Sequence, residues 1–272
     1  MEFKKILVRS LSGIIYIAII VGCILLRSEG IAALTVLFGI LATIEFTKIT
    51  RGLHNHGLPV LLADIAGVVC LGLSFYGFPV LLWIACLLWR LVLELYTKDS
   101  DSLRNLSYSI MGQVYIGIPL CTMLGVSVFF GMPYLLLAIF MFIWLNDTGA
   151  FIVGCTFGRH KLFERISPKK SWEGFFGGLL FCLGFSVLFG QVWPGFFGMG
   201  HNIWIWFGLA FVVSVFATWG DLVESMIKRT LKIKDSGSMI PGHGGILDRI
   251  DSLLLVMPAA FLYIFMVWWL CP

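Results

Sequence analysis

From Ser10 to Leu270 the chain is a succession of apolar runs separated by short polar or Gly/Pro breaks. Most of these runs approach the roughly 20 residues a helix needs to cross about 30 Å of hydrocarbon. Backbone N–H and C=O groups find no partners in lipid except inside helices or a closed barrel, so runs of this length restrict the chain to helical spans. Hydrophobic residues fill 59% of the 272 positions and charged residues 12%, which is too apolar for a soluble globule of this size. The pattern predicts an all-α, polytopic integral membrane protein. Helices are expected near 10–26, 31–48, 58–76, 78–96, 107–130, 133–156, 173–192, 203–228 and 251–270, nine spans in all. Only Gly77, Phe78 and Pro79 divide the third from the fourth.

The basic residues orient this array. With a cytoplasmic N-terminus, loops on that side collect seventeen of the nineteen Lys and Arg, Arg27 falls on the far side and Arg90 lies within a span. That asymmetry is the positive-inside pattern. The first apolar run has the basic start of a secretory signal, but further spans follow at once from Ile31, so an uncleaved first helix is expected. Seven cysteines are scattered without a CxxC pair, which argues against zinc and against a disulfide framework. No internal repeat relates the two halves, which disfavours an inverted-repeat transporter. The long loops, 157–172 and 229–250, both belong to the second half. Residues 1–104 are therefore expected to be a scaffold of transmembrane helices, and residues 105–272 the catalytic region.

Acids inside apolar helices are costly and usually face a bundle interior or a cavity. In the second half these are Asp147, Glu173, Asp221, Glu224, Asp248 and Asp251. Asp221, Glu224, Ser225 and Lys228 recur at helical spacing and share one face. Asp248 and Asp251 share another, at the start of the last helix. Two readings fit this spacing equally. Carboxylates on two helix ends joined by one loop suit a hard cation such as Mg²⁺, held jointly with substrate phosphates. Alternatively, Asp221 pairs with Lys228 or Arg229, and Asp251 with Arg249, as boundary ion pairs. In the first half Arg90 and Glu94, four apart, are expected to neutralise each other, while Glu45 and Asp64 suggest no specific role.

Pro241-Gly242-His243-Gly244-Gly245 lies just ahead of the last helix. Consecutive glycines let backbone approach a ligand, and a helix N-terminus offers unpaired N–H groups to phosphate. With Lys228, Arg229, Lys232 and Lys234 before it and Asp248 and Asp251 after it, the loop suits anions bridged by a cation. His243 either contacts phosphate or caps the turn. The other long loop carries Lys169 and Lys170 just before a helix, where lysines oppose the dipole. They bind a substrate or simply attract anionic lipid. Ser171 is placed to N-cap that helix, and Asn146-Asp147-Thr148, in the preceding helix, is expected to line the same cavity.

These residues resemble the CDP-diacylglycerol synthase (phosphatidate cytidylyltransferase) family. The family's C-terminal signature is matched throughout, by Ser225, Lys228, Arg229, Lys234, Asp235, Gly237, Ile240, Pro241, His243, Gly244, Gly245, Asp248, Arg249 and Asp251. Upstream, Asn146-Asp147-Thr148, Gly158-Arg159 and Ser167-Pro-Lys-Lys-Ser-Trp-Glu-Gly174 resemble it too, with Ser171 where the family often has Thr. The N-terminal third agrees only in hydropathy. The resemblance implies a multi-pass protein of a bacterial inner membrane, with its active site facing the cytoplasm. It would convert CTP and phosphatidate to CDP-diacylglycerol and pyrophosphate with Mg²⁺, and so many carboxylates leave room for a second cation. Asp221, Asp248, Asp251 and Asp147 are then the metal ligands. Lys228, Arg229, Lys234 and His243-Gly244-Gly245 would receive the CTP phosphates or the leaving pyrophosphate, Lys169 and Lys170 the phosphatidate head, and Asn146, Asp147, Ser171 and Ser225 are further substrate contacts. The expected partners are the two substrates and membrane lipid, with no nucleic acid, and the N-terminal helices are available for homodimer contacts. A CTP-dependent polyprenol or phytol kinase has a related look but would release CDP. An ion-coupled transporter is the alternative of a different class.

Overall fold

A computed structural model describes residues 2–51, 57–77, 79–97, 101–237, 239 and 244–270. Its helices follow the apolar runs. They are α1 (Glu2–Leu25), α2 (Arg27–Arg51), α3 (Leu58–Gly72), α4 (Pro79–Glu94), α5 (Ser102–Gly112), α6 (Ile118–Val128), α7 (Leu135–Phe157), α8 (Trp172–Val192), the single turn α9 (Pro194–Phe197), α10 (Ile203–Thr230) and α11 (Leu247–Leu270). Among the described residues, six stretches are long and apolar enough to cross a membrane: Arg27–Thr50, Ser102–Val128, Leu135–Phe157, Trp172–Val192, Ile203–Thr230 and Leu247–Leu270. Two shorter apolar helical stretches, Ser10–Leu25 and Leu58–Gly72, accompany them. The chain is thus a helical protein built to pass through a bilayer several times.

Several boundaries differ from expectation, each for a local reason. The span expected from 107 begins at Ser102, because Asp101 accepts a hydrogen bond from Arg104 N (3.2 Å) and caps an additional turn. Its middle, Gln113–Gly117, widens into a π-helical turn immediately before α6. Pro119 near the start of α6 has no N–H to give the preceding turn, and the wider turn absorbs that loss. The loop expected at 157–172 contains a two-stranded antiparallel hairpin, β1 (Lys161–Phe163) and β2 (Ser167–Ser171). Strands this short, one carrying Pro168 and two lysines, lack the alternation that identifies strands in a sequence.

The chain divides into two compact units, each made of two chain segments: Met1–Phe129 with Asp235–Ile250, and Phe130–Lys234 with Asp251–Pro272. In the first, α2 packs against α1, α3, α5 and α6. Buried among these helices is an ionic cluster. Arg90 Nη1 donates to Glu94 Oε2 at 2.7 Å, as the four-residue spacing predicts, and Arg90 Nε donates to Ser109 Oγ at 2.8 Å. Ser109 in turn donates to Asp64 Oδ2 (3.1 Å), and Asn105 Nδ2 donates to Glu94 Oε1 (3.2 Å). Asp64 thereby gains a role in the structure that its sequence position did not suggest.

The second unit is organised by α7 and α8, which run close together with α10 against both. Gly177 and Gly178 make that approach possible. A Cβ on Gly178 would lie 2.5 Å from Asn146 Oδ1, and one on Gly177 would overlap Val153. Small residues at a helix contact let backbones approach where lipid provides no hydrophobic drive for association. Phe142, Phe189, Phe197 and Trp206 fill the core with tilted and edge-on ring contacts, and Trp206 Nε1 donates to Gly200 O at 3.0 Å. Tyr263 of α11 donates to Ile205 O of α10 at 2.8 Å.

Candidate active site

The hairpin and the helix it feeds position the lysines. Ser171 ends β2 and caps α8, accepting from Gly174 N at 3.2 Å, and Trp172 N donates to His160 O at 2.9 Å. Glu173 in the first turn of α8 closes the other side. It accepts from Arg159 N (3.1 Å) and His160 N (3.2 Å), and it pairs with His160 Nδ1 at 2.6 Å. Glu173 thus holds the turn that leads into the hairpin. Held at both ends, the hairpin directs Lys170 at α10. Lys170 Nζ meets Asp221 Oδ2 at 2.5 Å and Thr218 O at 3.4 Å.

A cavity of about 360 Å³ opens beside this ion pair, within the second unit. Asn146 and Asp147 line it from α7, Lys169, Lys170 and Ser171 from the hairpin, and Thr218 and Asp221 from α10. Apolar side chains such as Phe151 and Phe175 complete the wall. The motif residues of α7 and of the 158–174 loop therefore share one cavity. Asn146 is anchored at its back. Its Oδ1 accepts from Ser214 Oγ at 2.6 Å, and its Nδ2 faces Thr218 Oγ1 at 3.4 Å. Thr218 and Ser214 were not singled out from the sequence. Thr218 lies three residues before Asp221, on the same helical face, which is the signal that identifies it.

The polar stripe of α10 pairs within itself. Ser225 Oγ donates to Asp221 Oδ1 at 3.2 Å, and Lys228 Nζ pairs with Glu224 Oε2 at 2.9 Å. Arg229 turns to the helix end, with Nη1 donating to Ile233 O at 3.4 Å, while Lys234 is exposed beyond it. Glu224 is buried, and Asp251 of α11 lies within electrostatic reach of Asp221, Glu224 and Asp147.

The C-terminal motif divides between the units. Asp248, Gly244 and Gly245 belong to the first. There Asp248 Oδ2 accepts from Ser236 N at 3.0 Å and from Gly245 N at 2.9 Å, so its carboxylate holds the two ends of the loop ahead of α11. Gly244 has φ +83, a left-handed conformation that favours glycine. His243 lies outside the described residues.

The donors present fit a hard divalent cation. Asp147, Asp221, Glu224 and Asp251 are all oxygen donors from three helices of one unit. Mg²⁺ is bound by one or two carboxylates with water and substrate phosphates completing its shell. Among the described residues, no three His, Cys, Asp or Glu side chains are already gathered into a cage. What stands against Asp221 is the Lys170 ammonium, which supplies the positive charge that this carboxylate requires.

A cavity lined by two lysines, two carboxylates and a capped helix N-terminus is suited to binding and neutralising phosphates. The chain belongs to the cytidylyltransferase family, whose family model matches residues 7–267. Among its relatives is a phosphatidate cytidylyltransferase of Staphylococcus epidermidis, 43% identical over 167 residues, which are 60% of this chain and 60% of that protein. Phosphatidate cytidylyltransferases of Staphylococcus aureus and Staphylococcus haemolyticus are 41% identical over the same length and shares. The chain thus spans about 60% of the length of these curated relatives.

Proposed function

We propose that this protein transfers CMP from CTP to phosphatidate, giving CDP-diacylglycerol and pyrophosphate. The observation that carries this reading is the cavity itself. Lys169, Lys170, Asn146, Asp147 and Asp221, residues of separate motifs, line one cavity together with Ser171, Thr218 and a largely apolar remainder. It suits a lipid with an anionic head. In the proposed reaction an oxygen of the phosphatidate phosphate attacks the α-phosphorus of CTP. The bond from that phosphorus to the bridging oxygen of the β-phosphate breaks, and pyrophosphate carries away the electron pair. A phosphomonoester bears a charge of about −1.5 to −2 near neutral pH and needs little help from a base. The protein's contribution is positioning and charge neutralisation.

Lys169 and Lys170 receive the phosphatidate head, with Ser171 and the first turn of α8 behind them. Lys228, Arg229, Lys234 and the His243-Gly244-Gly245 turn are assigned to the nucleotide phosphates on the strength of the motif. Asp221 and Asp251, with Asp147 beside them, are the residues that would hold Mg²⁺, and a bound Mg²⁺ would neutralise phosphate charge and orient the phosphates. Asp248 remains a ligand candidate from the motif, with a carboxylate already engaged by two backbone N–H groups. When Lys170 turns to a phosphate, Asp221 is released to take another cation. The nine-span arrangement with its active site toward the cytoplasm belongs to the same proposal, supported by the one-sided distribution of Lys and Arg. So does the division of labour between residues 1–104 as scaffold and 105–272 as catalytic region.

The test is incubation of the purified protein with labelled CTP, phosphatidate and Mg²⁺. Lipid-bound CMP and stoichiometric pyrophosphate are expected. Release of CDP with a phosphorylated lipid alcohol, or no nucleotide turnover at all, would overturn the proposal.

A further inference from the structure

Glu45 lies in the last two turns of α2, in the N-terminal third of the chain, outside the motifs described above. The structure buries it, with 2% of the residue exposed. A buried carboxylate is expensive without N–H or O–H donors; Oε1 has none among the described residues, and the donors to Oε2 come from the segment that carries the C-terminal motif. Glu45 Oε2 accepts from Ser236 Oγ at 3.2 Å and from Leu247 N at 3.0 Å. Leu247 is the first residue of α11, so Glu45 satisfies one of the N–H groups that a helix start leaves unpaired and places negative charge at its positive end.

Two glycines of the motif press against the same carboxylate. A Cβ on Gly237 would lie 2.6 Å from Glu45 Oε1, and one on Gly245 would overlap both carboxylate oxygens. Asp248 holds the neighbouring backbone, through Ser236 N and Gly245 N. The loop before α11 is therefore gripped at both ends by two carboxylates. One belongs to the motif and the other lies about 190 residues upstream in the chain. Both grips fall within the first unit.

We infer that Glu45 is a positioning residue for the nucleotide-handling loop: it fixes Ser236, Gly245 and the start of α11 without touching substrate. This rests on the cytidylyl-transfer reading for its kinetic consequence, though not for its structural one. Glycine at 237 and 245 follows from it, because the Glu45 carboxylate occupies the space a side chain would need.

The test uses the full-length protein in detergent with Glu45→Ala, Glu45→Gln and Glu45→Asp. Hydrogen–deuterium exchange is followed over 235–250 and, as a control, over 58–72. Steady-state kinetics vary CTP and phosphatidate separately. Glu45→Ala should raise exchange over 235–250 alone and lower kcat/KM for CTP about 100-fold, the cost of a misplacement near 1 Å. The KM for phosphatidate should be unchanged. Glu45→Gln, which keeps an oxygen acceptor, should restore both readouts to within about tenfold of wild type. If Glu45→Ala does not fold, Glu45→Asp decides, since its shorter side chain cannot reach both donors and should loosen the same segment. Exchange over 235–250 equal to wild type, or an equal rise in KM for both substrates, would overturn the inference. If the wild-type protein turns over no CTP, the cytidylyl-transfer reading fails and the exchange result alone decides the role of Glu45.

Discussion

The Arg90 cluster of the first unit and the Lys170–Asp221 pair of the second are both ionic groups among apolar helices, but only the second borders on substantial space. Arg90, Asp64, Glu94, Asn105 and Ser109 pair among themselves, leaving Arg90 Nη2 and Asp64 Oδ1 without hydrogen bonds among the described residues. The cavity beside them, lined by Asp64, Ser109 and Gln113 among others, measures about 10 Å³, room for one water at most. Lys170 and Asp221 are each about one-third exposed and face a cavity of about 360 Å³. The two groups therefore differ in whether the neutralising partner has room to be exchanged. A guanidinium held by two carboxylates and a hydroxyl is a structural rivet. An ammonium at the rim of a cavity, free to swing on a four-carbon stem, is a movable counter-charge.

Substitutions can break that contrast. The largest effect is expected at Asp221. Changing Asp221→Asn should lower CDP-diacylglycerol formation about 1,000-fold at every Mg²⁺ concentration, as for loss of a principal electrostatic contact. Near wild-type rates across the Mg²⁺ titration would remove it from the site. Arg90→Met should act on stability instead. Leaving Asp64 and Glu94 buried without their guanidinium costs about 3–5 kcal/mol, visible as a lower thermal midpoint in detergent, with unchanged turnover per folded molecule. A change in KM for either substrate would make the first cluster part of the chemistry.

Lys170→Met sharpens the comparison from the other side. It should leave the thermal midpoint close to wild type and cut kcat/KM for phosphatidate about 100-fold. Lys170→Arg should recover only part of that, because a planar guanidinium does not replace a point charge. The smallest effect is expected from Ser171→Ala, which removes the cap of α8 and should cost about 1 kcal/mol of stability. If Ser171→Ala lowers activity more than that loss of folded protein accounts for, the hydroxyl touches substrate.

The α10 stripe shows how far a sequence reaches. Helical periodicity puts Asp221, Glu224, Ser225 and Lys228 on one face, and they are there. Partner choice within the stripe was open, and Asp221 with Lys228 was a reasonable pair. The structure joins Lys228 to Glu224 and Ser225 to Asp221, because residues four apart are adjacent on a helix while residues seven apart are two turns away. The cation on Asp221 comes from another element altogether. In the same way, Asn146 and Asp147 stood out as polar residues in an apolar run, but nothing local indicated that Ser214 and Thr218 of α10 would anchor Asn146. Glu45 lacked any signal at all, since its partners are Ser236 and Leu247.

By itself the sequence determined the helical class, the approximate helices, the Arg90–Glu94 pair, the Ser171 cap and the motifs that suggest phosphate chemistry. All of these depend on hydropathy, on spacing within one helix or on short runs of residue types, and such relations are local. Only the tertiary structure decided which charges are locked and which face open space, that Lys170 rests on Asp221, and that a glutamate in the second helix grips the loop before the last one. Those outcomes depend on which helices pack together, and side chains distant in the chain meet only after the packing that no local pattern specifies.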